Sequence, residues 1–219
     1  VAWNWLGANG TTANTTGTID STVSANTTAG FSIITYTGVY PQDPATIGHG
    51  LSSAPELVIV KRRNTSGGWW IVGSNEMTSW DYYMGLNEDD AQASGGYFES
   101  TAPTASVIEL RNDGDSSVNG NGNTYVAYAF HSVEGYSKIG YYNGNYNVDG
   151  PFIYTGFKPA FVMVKRISGV NNWVMTDSER SPYNAIYGRL WADLDNAEAT
   201  DSVDSDFVSN GFKLRVANN

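Results

Sequence analysis

The feature that most constrains this chain is its resemblance to itself. Gly30-Phe31-Ser32-Ile33-Ile34-Thr35-Tyr36 matches Gly135-Tyr136-Ser137-Lys138-Ile139-Gly140-Tyr141, with glycine, aromatic, serine, isoleucine and tyrosine in step. The match continues through Gly50-Leu51, Pro55 and Val58-Ile59-Val60-Lys61-Arg62. These align with Gly156-Phe157, Pro159 and Val162-Met163-Val164-Lys165-Arg166. Trp69 aligns with Trp173, and Ile108-Glu109-Leu110-Arg111 with Phe212-Lys213-Leu214-Arg215. Agreement at so many spaced positions predicts two tandem copies of one supersecondary unit of roughly 105 residues. The expected division is an N-terminal strand and extended Asn/Thr-rich segment over 1–29, a first repeat over 30–134 and a second over 135–219.

Alternation and turn residues give the unit its type. Strands are expected near 31–37, 56–62, 69–73, 82–87, 106–111 and 124–133, and again near 136–142, 152–154, 160–167, 172–176, 187–191 and 211–216. In 124–130, Val126, Tyr128 and Phe130 share one face and Ala127 and Ala129 the other, so one face should pack deeply and the other closely. The continuous apolar run Leu57–Val60 fits a central strand buried on both faces. Ile19 and Val23 are the expected anchors of the N-terminal segment. The strand 124–133 has no counterpart before Asn219, so the second repeat reads as incomplete at its C-terminal end. Val1–Leu6, which alternates aromatic and small residues, is the candidate to fill that place.

Composition agrees with an all-β chain. Charged residues are 16%, while 24 Gly, 14 Tyr and 7 Trp suit strands joined by tight turns rather than long helices. The fold class expected is an antiparallel β-sandwich or pair of sandwiches, of the concanavalin-like or jelly-roll-like kind. A net charge of −10 repels phosphate backbones, so nucleic acid is not an expected partner. No apolar run reaches the ~20 residues of a membrane-spanning helix. With no cysteine, disulfides and thiolate chemistry are excluded.

Groups that could carry function are few. Paired carboxylates such as Asp193/Asp195 and Asp204/Asp206 lie among turn formers, where Asp caps local backbone amides. His49 and His131 are isolated, and no nucleophile elbow of the Gly-x-Ser-x-Gly kind occurs; the chain is not expected to be an enzyme. Asp113, Asp115 and Asn119 place oxygen ligands in one loop, where calcium is the ion such a set would take; no other cofactor is expected. Trp69, Trp70, Trp80 and Trp173 are the candidate ligand-binding residues, as flat platforms for sugar rings. Trp70, aligned with Val174 rather than with an aromatic, is expected to be the one freer for binding.

Four phrases resemble a known family: Gly-Phe-Ser-Ile-Ile-Thr-Tyr-Thr-Gly (30–38), Ile-Gly-His-Gly-Leu through Ala-Pro-Glu-Leu-Val-Ile-Val-Lys (47–61), Tyr-Val-Ala-Tyr-Ala-Phe (125–130) and Gly-Pro-Phe-Ile-Tyr-Thr-Gly-Phe-Lys-Pro-Ala-Phe-Val-Met-Val-Lys-Arg (150–166). They are similar to the tandem β-repeat domain of structural, tail-fibre-like proteins of marine and cyanobacterial tailed phages, across nearly all of 3–216. The resemblance implies a virion or extracellular location. It also implies a non-enzymatic structural or receptor-binding role, with other copies of the chain or other virion subunits as partners and a host-surface glycan as a further one. The alternatives carried with it are a lectin-like glycan-binding module and a secreted bacterial surface or filament-forming protein completed by strand exchange.

Overall fold

The computed structural model describes residues 4–66, 68, 70–111, 116–201 and 203–215, and these form an all-β protein of four antiparallel sheets. The largest has seven strands in the order β1 (Thr12–Asn14), β2 (Ser21–Asn26), β3 (Phe31–Thr37), β9 (Thr124–Phe130), β5 (Leu57–Arg62), β6 (Trp70–Ser74) and β7 (Met84–Gly85). β4 (Ala45–Gly48) pairs with β8 (Val107–Leu110). β11 (Phe161–Val164), β12 (Val174–Asp177) and β13 (Arg189–Trp191) make a third sheet. β10 (Phe152–Tyr154), β15 (Gly211–Leu214) and β14 (Ser205–Val208) make the fourth, in that order.

The central strand of the large sheet, β9, sets its packing through alternating side-chain size. Ala127 lies between Ile34 of β3 and Val60 of β5, and Ala129 between Ser32 and Val58. These small residues let the β4–β8 layer approach, and Ile47, Ile108, Leu110, Trp80 and Phe98 close the inner core over them. The small-residue face is therefore the fully buried one. Tyr128 and Phe130, on the opposite face, are only half-buried. β5 is a central strand buried on both faces, with Val58, Ile59 and Val60 all under 9% exposed. Ile19 and Val23 anchor the N-terminal segment, and β2 lies one strand inside the edge.

The outer face of the large sheet is covered by the second half of the chain. Trp173 and Met163 pack onto Ile59, Val72, Met84, Trp70 and Tyr128. The Trp173 indole N–H donates to the Gly85 carbonyl at 2.8 Å, which ties β12 to the large sheet's edge. The opposite side of β11–β13 meets the fourth sheet through Val162, Ile186, Phe207 and Phe212. The sheets thus stack as successive layers, each burying the face that its neighbour leaves apolar.

Pairings recur between the halves. Ile47 faces Ile108 in the β4–β8 pair, and Ile153 faces Phe212 in the β10–β15 pair. Val60 faces Ile71 as Val164 faces Val174. With Val60 matched to Val164, Trp173 holds the position of Trp70. The sequence alignment of the tryptophans was one residue out, because the loops leading to β6 and β12 differ in length and alignment alone does not locate the difference.

One expected strand does not form. Residues 136–142 hold a single bridge between Val133 and Ser137, with Tyr136 and Tyr141 exposed. Its counterpart β3 is held between β2 and β9, and no strand flanks 136–142 among the described residues. In the stretch Val1–Leu6, residues 1–3 lie outside the described residues, and 4–6 are not in a strand. Trp5 instead packs edge-on against Phe130 at 6.3 Å and Phe161 at 5.7 Å, a side-chain link between the halves rather than a ladder.

Trp173→Ala should lower stability by about 3–5 kcal/mol, because it opens a cavity at the contact between the halves. Trp173→Phe should lose less, on the order of 1–3 kcal/mol, since it fills most of the space but leaves the Gly85 carbonyl without its donor. Urea unfolding measures both, and a loss under about 1 kcal/mol for the alanine variant would contradict this packing.

Candidate functional site

The tryptophans expected to bind ligand are mainly packing residues. Trp80 is 4% exposed, meets Phe98 edge-on and donates to Asn75 Oδ1 at 2.6 Å. Trp173 is 5% exposed at the interface of the halves. Trp70 is half-buried, stacked on Tyr128 with the Lys61 ammonium over its ring at 5.7 Å, and is more exposed than Trp173. Trp69 lies outside the described residues. Trp80 sits on the inner side of the large sheet and Trp70 and Trp173 on the outer side, so no shared platform forms.

Of the oxygen-rich loop, Asp113 and Asp115 lie outside the described residues. Asn119 is 1% exposed, and its Oδ1 accepts from the Val39 amide at 3.0 Å, so it clasps two loops together. Among the described residues no group of three or more His, Asp or Glu is placed to hold a metal. His49 is fully buried, with Nδ1 accepting from the Leu51 amide and Nε2 against the Thr104 carbonyl. Burial pushes its pKa below the ordinary histidine value, so it is a neutral core group. His131 is also buried, below Gly30, where a Cβ would come within 2.6 Å of the His131 carbonyl; the turn into β3, at φ +65°, therefore requires glycine.

The carboxylate pairs separate in the same way. Asp193 accepts from the Trp173 amide and the Asn172 side chain. Asp206 pairs with Arg215, and Asp204 with Arg189 at 3.2 Å. The two carboxylates are thus held by different guanidinium groups, a structural arrangement rather than an acid–base couple.

A different place has the form of a site. The loop between β12 and β13 borders an open cleft of about 360 Å³, lined by Arg180, Ser181, Tyr183, Tyr187, Glu198 and Thr200 among others. Its floor is an ion-pair chain. Asp177 holds Arg180 Nε at 2.7 Å and also accepts from the Glu179 and Arg180 amides. Arg180 Nη1 reaches Glu198 Oε1 at 3.0 Å. The arginine side chain is 7% exposed and the Asp177 side chain 3%, so the base is rigid. Gly188 lies directly beneath, and a Cβ there would come within 2.5 Å of Glu198 Oε1. Ser181 Oγ accepts from the Tyr187 and Gly188 amides, which fixes its position at the rim. Tyr183 is 84% exposed and Tyr187 46%. None of these residues stood out in the sequence; the only signal was the run Ser181-Pro182-Tyr183-Asn184, turn formers around an aromatic.

The family model for a domain of unknown function, DUF7483, matches residues 1–219. The chain belongs to the DUF7483 family. No curated protein and no solved structure matches it.

Beside the cleft, Asp204 is the strongly shifted carboxyl. Burial pushes it up to about 6, more than the Arg189 guanidinium lowers it, and Asp201 raises it further. Its Oδ2 and the Arg189 Nε are buried without partners. A carboxyl raised in the folded state from 3.8 holds its proton more tightly there than when unfolded, so stability from this group falls as pH rises between about 4 and 6. Relative to wild type, Asp204→Asn should become progressively more stable across that window. Thermal midpoints at pH 4, 5, 6 and 7 test this, and a wild-type–variant difference that does not change with pH would contradict it.

Proposed function

We propose that this DUF7483 domain is a non-enzymatic structural or receptor-binding module of a phage particle, exposed on a tail fibre or similar appendage. The observation that carries the reading is where the apolar surface lies. Apart from Trp5, Leu6 and Tyr40, every exposed large apolar side chain among the described residues falls between Tyr136 and Leu194. Tyr136, Tyr141, Tyr146, Phe152, Tyr154 and Tyr183 are all exposed there. The tyrosines among them, each a flat apolar body with a polar tip, are the usual anchors of recognition surfaces. The first half keeps its large apolar residues inside and serves as the scaffold. The separate partners of the carboxylates and the neutral packing of His49 favour binding over turnover, and a net charge of −10 suits a solvated, exposed position.

A second reading, glycan binding, is favoured by the cleft at Arg180–Gly188 and is compatible with the first if the receptor is a surface polysaccharide. Cross-linking of the native assembly, read by mass spectrometry, tests the main proposal. Lys138 and Lys158 are exposed within the aromatic region and should be joined to neighbouring subunits or to a receptor. Recovery of the chain without any such link, or release of sugar from polysaccharide by the purified chain, would overturn it.

A further inference from the structure

We infer that the cleft between the β12–β13 loop and Glu198 is a binding subsite for a neutral saccharide. This rests on the reading of the domain as a binding module and names its ligand class. The first half shows a different arrangement of the corresponding loop. There the β6–β7 loop sinks Trp80 into the core against Phe98 and Gly73. The β12–β13 loop does the reverse. It turns Tyr183 and Tyr187 to solvent, and the Asp177–Arg180–Glu198 chain fixes the surface between them and the strand.

The chemistry of that surface matches a sugar ring. The exposed tyrosine rings offer flat faces to the axial C–H bonds of a hexose. One oxygen of Glu198 is held by Arg180, which leaves Oε2 as an oriented acceptor for ring hydroxyls. Ser181 Oγ, already accepting two backbone amides, has its own proton to donate. Thr200 adds a hydroxyl at the rim. The charged groups that line the cleft, Arg180 and Glu198, are paired with each other and offer no free cation to an anion, and the chain as a whole carries −10, so a neutral sugar is favoured over an anionic one. The open form of the cleft fits one or two residues within a longer chain better than an enclosed small molecule.

The test titrates the full chain with tetrasaccharides of glucose, mannose, galactose and N-acetylglucosamine, and with a uronic acid tetrasaccharide, by calorimetry with chelator present. The expected result is saturable binding of at least one neutral sugar. Tyr183→Ala and Glu198→Gln should each weaken it at least tenfold, while Tyr141→Ala, outside the cleft, should change it less than twofold. Tyr183 is so exposed that its truncation leaves the fold unaltered, and the thermal midpoint checks this for both variants. Three outcomes would overturn the subsite: no saturable binding to any neutral sugar, tighter binding of the uronic acid chain, or neutral binding unaffected by both cleft variants. In the last case, loss with Tyr141→Ala would leave the binding-module reading intact and move its site. A blank titration combined with cross-links from Lys138 or Lys158 would likewise remove the subsite and keep the module.

Discussion

Everything in this fold depends on covering a wide antiparallel sheet on both faces. The seven-stranded sheet has a central strand whose two sides are both apolar, so each requires its own layer. Small Ala127 and Ala129 admit the β4–β8 pair on one side, which is why Tyr125, Ile34, Val58 and Val60 end fully buried. Tyr128 and Phe130 on the other side stand too tall for such a close approach. They are met by the second half through Met163 and by Trp173, whose indole also binds the Gly85 carbonyl. The second half is thus a cover as well as a unit, and its remaining surface faces outward.

This division of labour explains the uneven surface. In the first half, β3 and β9 supply strands on which aromatic side chains can be buried. In the second, residues 136–142 have no flanking strand among the described residues, and their tyrosines stay outside. The ion-pair chain under the β12–β13 loop belongs to the same pattern: where the first half fills the loop with Trp80, the second holds it open with charge. A buried Asp177–Arg180 pair is a weak source of stability but an effective way to fix a surface in one geometry.

Much of the fold was legible in the sequence because its strands follow the period of two. β3, β5 and β15 were expected within a residue or two of where they form, β9 was expected to start where it does but to run three residues further, and the continuous run Leu57–Val60 was rightly read as central. Two misreadings have physical causes. The 136–142 segment carries the same local pattern as β3, but strand formation is decided by neighbours, which local pattern does not contain. Tryptophan identity does not locate a one-residue change in loop length, and so Trp173 was aligned with Trp69 when the strand registers match it to Trp70. The cleft was illegible for a third reason: Arg180, Tyr183 and Glu198 acquire their meaning only when the loop folds back over Gly188.

The central claim is that the large sheet is the stable scaffold and that the second half folds onto it. Native-state hydrogen exchange tests this most directly, because it reads the opening free energy of each strand within the intact chain. The amides of β3, β5 and β9 should exchange only by global unfolding, with those of β10, β14 and β15 exchanging through smaller, earlier openings. Equal or greater protection in β10, β14 and β15 would show that the second half is an independent scaffold and would contradict the account.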